Sequence, residues 1–540
     1  MITHMQTNNR FYVFPNSAVQ CEGETFYTAR FQNEEYILAL GATSQKQKRA
    51  DHLKGAVSTL NTPGGEEWEL KACPATYENL LSFENKVATQ RKLRVLTREG
   101  YRHGLGTGNR IIISGDHIDN LRDCSALGVF PGIYEATVAR DIPNWFIQQS
   151  IVRELIPREV DPNLYPDLGH TGGYGPAELL RSGLFAYFSL GGYAAAGGII
   201  GADADHAIVT GGSEAEMEES LQLNKTALKE ARHFTKFTVD TCNLFDFPVS
   251  LDSRQEEGVR RLFAETFKVK NPVPGMPHFE FKFEEKEALE LARKYWKAVE
   301  VHAHLYEYIS ACRNEEEFDY ELSLDETSHP TPPRELLFYL ILLTEWYDLP
   351  SGAVTSVAPS LGFAKRCDYT GNLSELKELA NTFAAIAASF NAVLCVHSGS
   401  GKGVEFGKGP GVDEALAEAC GGEVQLKVSG IYQEIMWRML YRSPRREERD
   451  LFAAAWDRTR EMVLNTPSLL SRCEDLEGLN YPQRNPEQSF FRHFAYLVWK
   501  EFRPHIYGVL TPRSWDKYAR QVAEYTSMRT DALGFSSPPE

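Results

Sequence analysis

The chain lacks an excess of positive charge. Its 540 residues include 57 Lys and Arg against 74 Asp and Glu, which gives a net charge of −17. Nucleic acids and anionic membranes are bound through basic surfaces, so this charge excludes a general binder of either. A small anionic substrate needs only a local pair of basic side chains and stays compatible with the sequence.

Cysteine pairs and a leader pattern are missing as well. The nine cysteines are scattered without a CxxC pair, which indicates reduced thiols in a cytoplasmic protein rather than disulfides or a zinc ribbon. The first residues have no basic region followed by an apolar one, so no signal peptide is expected. The uncharged stretch 182–202 has the length of a membrane span, but its six glycines favour a buried helix–turn–strand passage.

The glycine-rich segments do not fit the known nucleotide-binding loops. Gly104–Gly108 precedes a predicted strand at 110–113, whereas a dinucleotide loop follows a strand and opens a helix. Gly401-Lys402-Gly403 lacks the glycine and the hydroxyl residue of a phosphate-binding P-loop. The sequence therefore predicts no nicotinamide cofactor.

The pattern of apolar runs predicts an α/β fold. Residues 1–95 are β-rich, and from 96 to 440 short apolar runs alternate with helical patterns, as in a TIM-like (β/α)8 barrel. A helical insertion is predicted at about 254–318, and residues 441–540 are predicted to form a C-terminal helical extension. We thus expect a β-rich N-terminal region, a barrel and a helical cap.

Three polar clusters each follow an apparent strand. They are Asp203, Asp205 and His206 within 201–206, Asp325 and Glu326 after the run 320–324, and 397–402, which begins with His397. Each cluster alone is also compatible with a helix cap or a turn. Their coincidence predicts an active site at the C-terminal rim of the barrel.

The residue types in these clusters suit a metal site. Histidine and carboxylate ligands without thiolates favour a divalent ion such as Zn, Mn, Ni, Co or Fe. Lys402 and Lys427 come just after strand-like segments. Either ammonium is placed to polarise a carbonyl or bind a carboxylate, and a solvated lysine is the alternative at both positions.

In this order the motifs resemble the tagaturonate/fructuronate epimerase family, over about residues 95–435. Members of that family are metal-dependent isomerases of ketohexuronates, and some also accept fructose or tagatose. The segments that carry the resemblance are 201–206 (family GADADH), 320–327 (acidic stretch ending in SVDET), 148–154 (QQSIRE), 368–372 (VDYIGD) and 397–400 (start of HSGSDK).

The resemblance implies roles for the matching residues. Metal binding falls to His206, Glu326 and His397. Catalysis falls to Asp203, Asp205 and Lys402. Substrate binding falls to Arg110, Gln148, Gln149, Ser398 and Lys427.

Three positions depart from the family pattern. Asn109 stands where the family has an aspartate, Gly401 where it has a second one, and Gln425 where it has a histidine. The metal candidates survive these changes, whereas several groups expected near the substrate do not. The fold and the metal site are therefore predicted more firmly than the substrate.

The implied reaction inverts a hydroxyl-bearing carbon β to a ketone. That carbon's C–H is not acidic, so we expect retro-aldol cleavage and re-addition rather than enolisation, with a divalent metal as Lewis acid. A metal-dependent hydrolase on the same barrel and a non-catalytic sugar-acid-binding homologue stay open as alternatives. The expected partner is a small sugar or sugar acid, without nucleic acid or membrane, and a homo-oligomer is compatible with the sequence.

Overall fold

A computed structural model describes most of the chain. The described residues are 11–535 apart from 32–33, 44–47, 62–65, 89–92, 109, 115–120, 149–173, 194–198, 328, 474–478 and 480–482. Gln149 and Asn109 lie outside the described residues, as does most of the segment that resembles QQSIRE.

The N-terminal part forms an antiparallel sheet with the order β1-β3-β4-β6-β5, and β2 pairs with β3. Its buried residues alternate along β3, which is typical of a sheet with one face on a core. That face meets helix α3 (Pro176–Ser189) at Thr28, whose hydroxyl lies 2.7 Å from the hydroxyl of Ser189. The strands are β1 (Tyr12–Val13), β2 (Val19–Cys21), β3 (Glu24–Phe31), β4 (Glu34–Ala42), β5 (Ala56–Asn61) and β6 (Glu67–Pro74).

Eight parallel strands close into a barrel in chain order, and the last pairs with the first. Helices surround this barrel, so the prediction of a TIM-like α/β barrel with a β-rich N-terminal region is confirmed. The barrel strands are β7 (Gly104–Gly108), β8 (Asn144–Gln148), β9 (Ile200–Ile208), β10 (Lys236–Asp240), β13 (Asp319–Leu324), β14 (Ser356–Pro359), β15 (Val393–Val396) and β16 (Val424–Val428).

The first barrel strand differs from the prediction. It is the glycine-rich segment Gly104–Gly108 and not residues 110–113, which are buried without strand pairing. A Cβ on Gly106 would lie 2.5 Å from Ile147 Cδ1, and one on Gly104 would lie 2.6 Å from the ring of Trp145. Larger neighbours fill the space that side chains would occupy here, so the strand carries no apolar pattern of its own.

The segment 201–206 also lies elsewhere than predicted, because it is the middle of β9 and not a loop after a strand. Successive side chains of a strand point to opposite faces, so Asp203 and Asp205 share one face. Both carboxylates contact Lys427 across the barrel, which identifies that face as the interior. The uncharged passage before β9 begins inside helix α3, which ends at Ser189.

The helices pack around the barrel and over its end. Helix α14 packs closely on α2, because a Cβ on Gly132 would lie only 2.4 Å from the carbonyl oxygen of Ala519. In the sequence, a small hairpin of β11 (Phe267–Val269) and β12 (Phe279–Phe281) comes between the barrel strands β10 and β13. The helices are α1 (Tyr77–Ser82), α2 (Phe130–Ala136), α3 (Pro176–Ser189), α4 (Glu214–Glu230), α5 (Ser253–Leu262), α6 (Glu285–Cys312), α7 (Pro333–Ile341), α8 (Leu373–Ser389), α9 (Val412–Cys420), α10 (Gly430–Tyr441), α11 (Arg446–Asn465), α12 (Pro467–Leu470), α13 (Ser489–Val509) and α14 (Pro512–Ala532).

Among the helices of the described ranges, none combines the length and the apolar character that crossing a membrane requires.

Candidate active site

A lysine lies at the centre of the polar barrel interior. Lys427 Nζ is 2.8 Å from Asp203 Oδ2, 2.7 Å from Asp205 Oδ1 and 2.8 Å from Glu321 Oε1. Burial opposes the charged form of this lysine. The three carboxylates outweigh burial and hold the pKa of the ammonium well above its usual value. Lys427 is therefore a fixed cation that neutralises carboxylates inside the barrel.

A second buried lysine supports this cluster from below. Lys236 Nζ lies 2.7 Å from Glu321 Oε2 and donates a 2.7 Å hydrogen bond to the side-chain oxygen of Gln425. Gln425 in turn donates to the hydroxyl of Thr97 at 2.9 Å. Gln425, which replaces the histidine of the family pattern, thus accepts a hydrogen bond from a lysine. A protonated histidine could not accept this hydrogen bond, and a neutral histidine could accept it only through its unprotonated ring nitrogen.

Two imidazoles lie above the lysines. His397 Nε2 is 2.7 Å from Glu321 Oε1, and its Nδ1 is 3.1 Å from Asp325 Oδ1. The rings of His206 and His397 meet edge to face with centroids 5.1 Å apart. Burial lowers the pKa of His397, but the charge of Asp325 beside it prevails and the pKa stays well above its usual value.

The backbone at both imidazoles is in an uncommon conformation. His206 has φ of 55° and Ser398, next to His397, has φ of 56°. Residues with a Cβ adopt this left-handed region at a cost, and such positions cluster at functional sites. The fold therefore holds the two histidines in place against a local preference.

His206, Asp325 and His397 form a group suited to a metal ion. One ligand atom from each lies within 4.8 Å of the others. His206 Nδ1 and Asp240 Oδ2, which lie 3.8 Å apart, are buried and make no hydrogen bond within the part of the chain that the structure describes. His397 Nδ1 faces Asp325 Oδ1 at 3.1 Å. Two imidazoles and a carboxylate are a donor set that Zn and similar divalent ions accept, so these residues fit such an ion.

The predicted ligand Glu326 is not part of this group. Its Oε1 forms an ion pair with Lys365 Nζ at 2.8 Å, and Asp325, one residue earlier, contributes the carboxylate instead. Glu326 still lines the same cavity. Adjacent acidic residues in a turn could not be told apart from the sequence, because the direction of each side chain depends on the turn.

A cavity of about 300 Å³ opens onto these groups. Three arginines are among its lining residues, namely Arg110, Arg366 and Arg472. Burial and, to a smaller extent, the charge of Arg366 together lower the pKa of His493, which also lines the cavity, to about 4. The lining residues that matter for chemistry are Arg110, Asp205, His206, Asp325, Glu326, Lys365, Arg366, His397, Ser398, Lys427, Arg472 and His493.

The predicted site residues separate into three groups. Seven line the cavity: Arg110, Asp205, His206, Glu326, His397, Ser398 and Lys427. Two are buried next to it, namely Asp203, which contacts Lys427, and Gln148, whose amide donates to the Tyr174 carbonyl at 2.7 Å. Lys402 has an exposed side chain and does not line this cavity; its backbone N–H donates to Asp368 Oδ1 at 2.6 Å.

Glycine at 401 accommodates that contact. A Cβ there would lie 2.4 Å from Asp368 Oδ1 and 2.2 Å from the carbonyl oxygen of Gly407. The aspartate of the family pattern at this position would therefore require the loop to shift.

Four interior residues were missed by sequence reasoning: Lys236, Thr238, Asp240 and Glu321. They alternate with apolar residues in β10 and β13, and all four are buried. Such alternation is usually interpreted as a strand with a solvent-facing polar side. The signal that could have found them is that their two strands lie inside a predicted closed barrel, where one face of every strand is interior.

The ion cluster predicts a large effect on stability. Replacing Glu321 with alanine leaves Lys236 and Lys427 buried with less counter-charge, so we expect a loss of about 3–5 kcal/mol in the free energy of unfolding. Urea unfolding followed by circular dichroism measures it. Glu418→Ala, which removes an exposed partner of Lys377, is the control and should cost less than about 1 kcal/mol. Equal losses in the two variants would contradict the importance of the buried cluster.

Comparison with known proteins finds similarity to one family of epimerases. The model of the tagaturonate epimerase family matches residues 179–432. A tagaturonate/fructuronate epimerase of Thermotoga maritima is 32% identical over 155 residues, which are 28% of this chain and 29% of the relative. The match thus spans under a third of that relative's length.

Solved structures extend the likeness to nearly the whole chain. Two glycerol-complexed crystal structures of a fructuronate-tagaturonate epimerase from Cohnella laeviribosi superpose with TM-scores of 0.61 and 0.64. Each alignment covers 97% of this chain and 96% or 97% of the other, at 20% identity. At that identity the likeness establishes the fold. The family resemblance seen in the motifs is confirmed by the family match.

Proposed function

Because residues 179–432 match the tagaturonate epimerase family, we propose that this chain is a metal-dependent epimerase of a ketohexuronate or a ketohexose. The observation that carries the proposal is one cavity with two kinds of group in it. Asp205, held by Lys427, and the group of His206, Asp325 and His397 line the same 300 Å³ space. A base and a divalent-ion site within one cavity are what a retro-aldol epimerisation requires.

The charge of the wall favours a sugar acid over a neutral sugar. Arg110, Arg366 and Arg472 line the same cavity, in a chain whose net charge is −17. Guanidinium groups bind carboxylates through paired hydrogen bonds, so this wall suits the carboxylate of a uronate. Lys427 is a poorer carboxylate receptor, because three protein carboxylates already surround it.

Asp205 is the group best placed to move the proton. Its Oδ1 is bonded to Lys427, which leaves Oδ2 to accept the proton of the substrate hydroxyl. Burial raises the pKa of Asp205, but the charges of His206 and Lys427 outweigh burial and hold it below its usual value. The carboxylate is therefore ionised near neutral pH and ready to act as a base.

The bond changes balance without a further reactant. As Asp205 takes the hydroxyl proton, the hydroxyl carbon becomes an aldehyde and its bond to the neighbouring carbon breaks. The electron pair of that bond forms an enediolate with the ketone. The aldehyde turns its other face, the bond forms again, and Asp205 returns the proton to the inverted alkoxide.

His206, Asp325 and His397 would hold the metal, with Glu326 next to them as the ligand that the resemblance implies. A divalent ion supplies Lewis-acid stabilisation of negative charge on substrate oxygens. Asp240 Oδ2, 3.8 Å from His206 Nδ1, adds negative charge beside that imidazole.

The test is an assay of metal-dependent interconversion. Purified protein is analysed for metal content, then incubated with fructuronate, tagaturonate, fructose or tagatose with and without a chelator, and the products are separated by chromatography. We expect interconversion of an epimer pair from both sides, faster for the acids than for the neutral sugars, and abolished by the chelator. Water addition without interconversion, or a protein that takes up no metal, would contradict the proposal.

A further inference from the structure

The loop after β15 is anchored by two arginines from the C-terminal helices. It comprises residues 397–401 and carries His397 and Ser398. The backbone carbonyl of Gly399 in this loop accepts a 2.7 Å hydrogen bond from Arg529 Nη1. The carbonyl of Gly401 accepts one of 2.7 Å from Arg492 Nη2. Both arginines are at least 90% buried.

Arg529, on α14, joins the loop to a barrel helix. Its Nε and Nη2 bind the two carboxylate oxygens of Asp413 on α9, the latter at 2.8 Å, and Nη1 also donates to the Tyr525 hydroxyl at 2.8 Å. The guanidinium is fully buried, and Asp413 balances its charge. Gly407 is required beside it, because a Cβ there would lie 2.4 Å from Arg529 Nε.

Arg492, on α13, makes an equivalent set of contacts. Its Nε donates to Glu434 Oε2 on α10 at 2.8 Å, and Nη1 donates to the Arg366 carbonyl at 3.2 Å. Each arginine therefore binds a carboxylate of a barrel helix with one side of its planar guanidinium group and a loop carbonyl with the other. A rigid fork that is fixed on one side defines where the acceptor on its other side lies.

We propose that Arg529 and Arg492 are positioning residues, which hold the 397–401 loop in the conformation that presents His397 and Ser398 to the cavity. The loop needs such support because Ser398 has φ of 56°, an unfavourable conformation for a residue with a Cβ. Strand β15 fixes the chain before Ser398, and the bonded carbonyls of Gly399 and Gly401 fix the chain after it, so the strained residue is kept from relaxing. This positioning role rests on the proposed function for its effect on catalysis, but its effect on loop order does not.

The first test replaces Arg529 with lysine and with methionine in the full chain. Lysine keeps the charge beside Asp413 but cannot reach both the carboxylate and Gly399. Hydrogen exchange measured by mass spectrometry should show the amides of 397–411 exchanging about tenfold faster or more in both variants, with the rest of the barrel unchanged in Arg529→Lys. Epimerase kcat per folded molecule should fall about 10- to 100-fold.

Arg30 provides a matched control. It is also buried, pairs with Glu35, and donates to the carbonyls of Cys124 and Ala126 at 2.8 and 2.9 Å. None of these partners lines the cavity among the described residues. Arg30→Lys should lower thermal stability while leaving exchange in 397–411 and kcat unchanged. Gly407→Ala, which displaces Arg529 without removing its charge, should reproduce the Arg529→Lys result.

Two outcomes would overturn the proposal. One is wild-type exchange in 397–411 for a folded Arg529→Lys protein. The other is an equal loss of kcat in Arg30→Lys, which would assign the effect to general stability. If the wild-type protein interconverts no sugar, the proposed function fails, and the exchange measurement still decides whether the arginines hold the loop.

Discussion

Replacing His397 with alanine is expected to remove metal binding and epimerase activity together. His397 belongs to the group of His206, Asp325 and His397, and its loss leaves one imidazole and one carboxylate, too few to retain an ion tightly. We expect kcat/KM to fall by at least about 10²–10³-fold, the loss typical of removing one charge-stabilising element. Metal analysis of the purified variant and the chromatographic assay measure the two effects.

The exposed His304 on α6 serves as the control for this experiment. Its replacement by alanine changes histidine content equally and should leave metal and turnover as in the wild type. If metal content and turnover both survived in His397→Ala, the assignment of the metal site would be wrong. Loss of metal without loss of turnover would separate the metal from the chemistry and contradict the mechanism.

Replacing Asp205 with asparagine is expected to lower kcat by about 10²–10⁴-fold while metal stays bound. An amide cannot take the proton that Oδ2 receives in the proposed step, but it still accepts a hydrogen bond from Lys427 through its oxygen. The size of Asn matches that of Asp, so we expect a smaller change in KM. Single-turnover kinetics on the preferred substrate measure the chemical step directly.

Asp319 is a suitable control for Asp205. It is a buried aspartate at the start of β13, bonded to the backbone N–H groups of Thr97 and Arg98, and it does not line the cavity. Asp319→Asn should reduce stability with little change in kcat. An Asp205→Asn enzyme with near-normal kcat would contradict the role of this base and direct attention to Asp203.

Much of the fold could be predicted from the sequence because the signals were local. The run 424–428 and the helical pattern at 373–390 lie close to the observed β16 and α8. The strand Gly104–Gly108 was missed because its neighbours, and not its own side chains, fill the space around it. Because every second residue of this strand is glycine, the face toward the barrel interior has no side-chain pattern to detect.

The candidate site was predictable only in part, for a related reason. Asp205, His206 and His397 were found because polar residues interrupt apolar runs. Glu321 and Lys236 were not singled out, since a charged side chain is expected to face solvent unless its partner is known. These two residues are each other's partner, but they lie 85 residues apart in the sequence. The contacts of Arg492 and Arg529 with the loop end on backbone carbonyls, so no residue type in the loop sequence indicates them.

The anchoring of the loop by Arg529 bears on how the protein is made. Gly399 and Arg529 are separated by 130 residues, so a ribosome completes the barrel strands well before it synthesises the arginine. At about 5–20 residues per second, the interval is roughly ten seconds. During that time the 397–401 loop lacks its hydrogen bond from Arg529. The contact of Arg529 with the active-site loop can thus form only after all eight barrel strands have been synthesised.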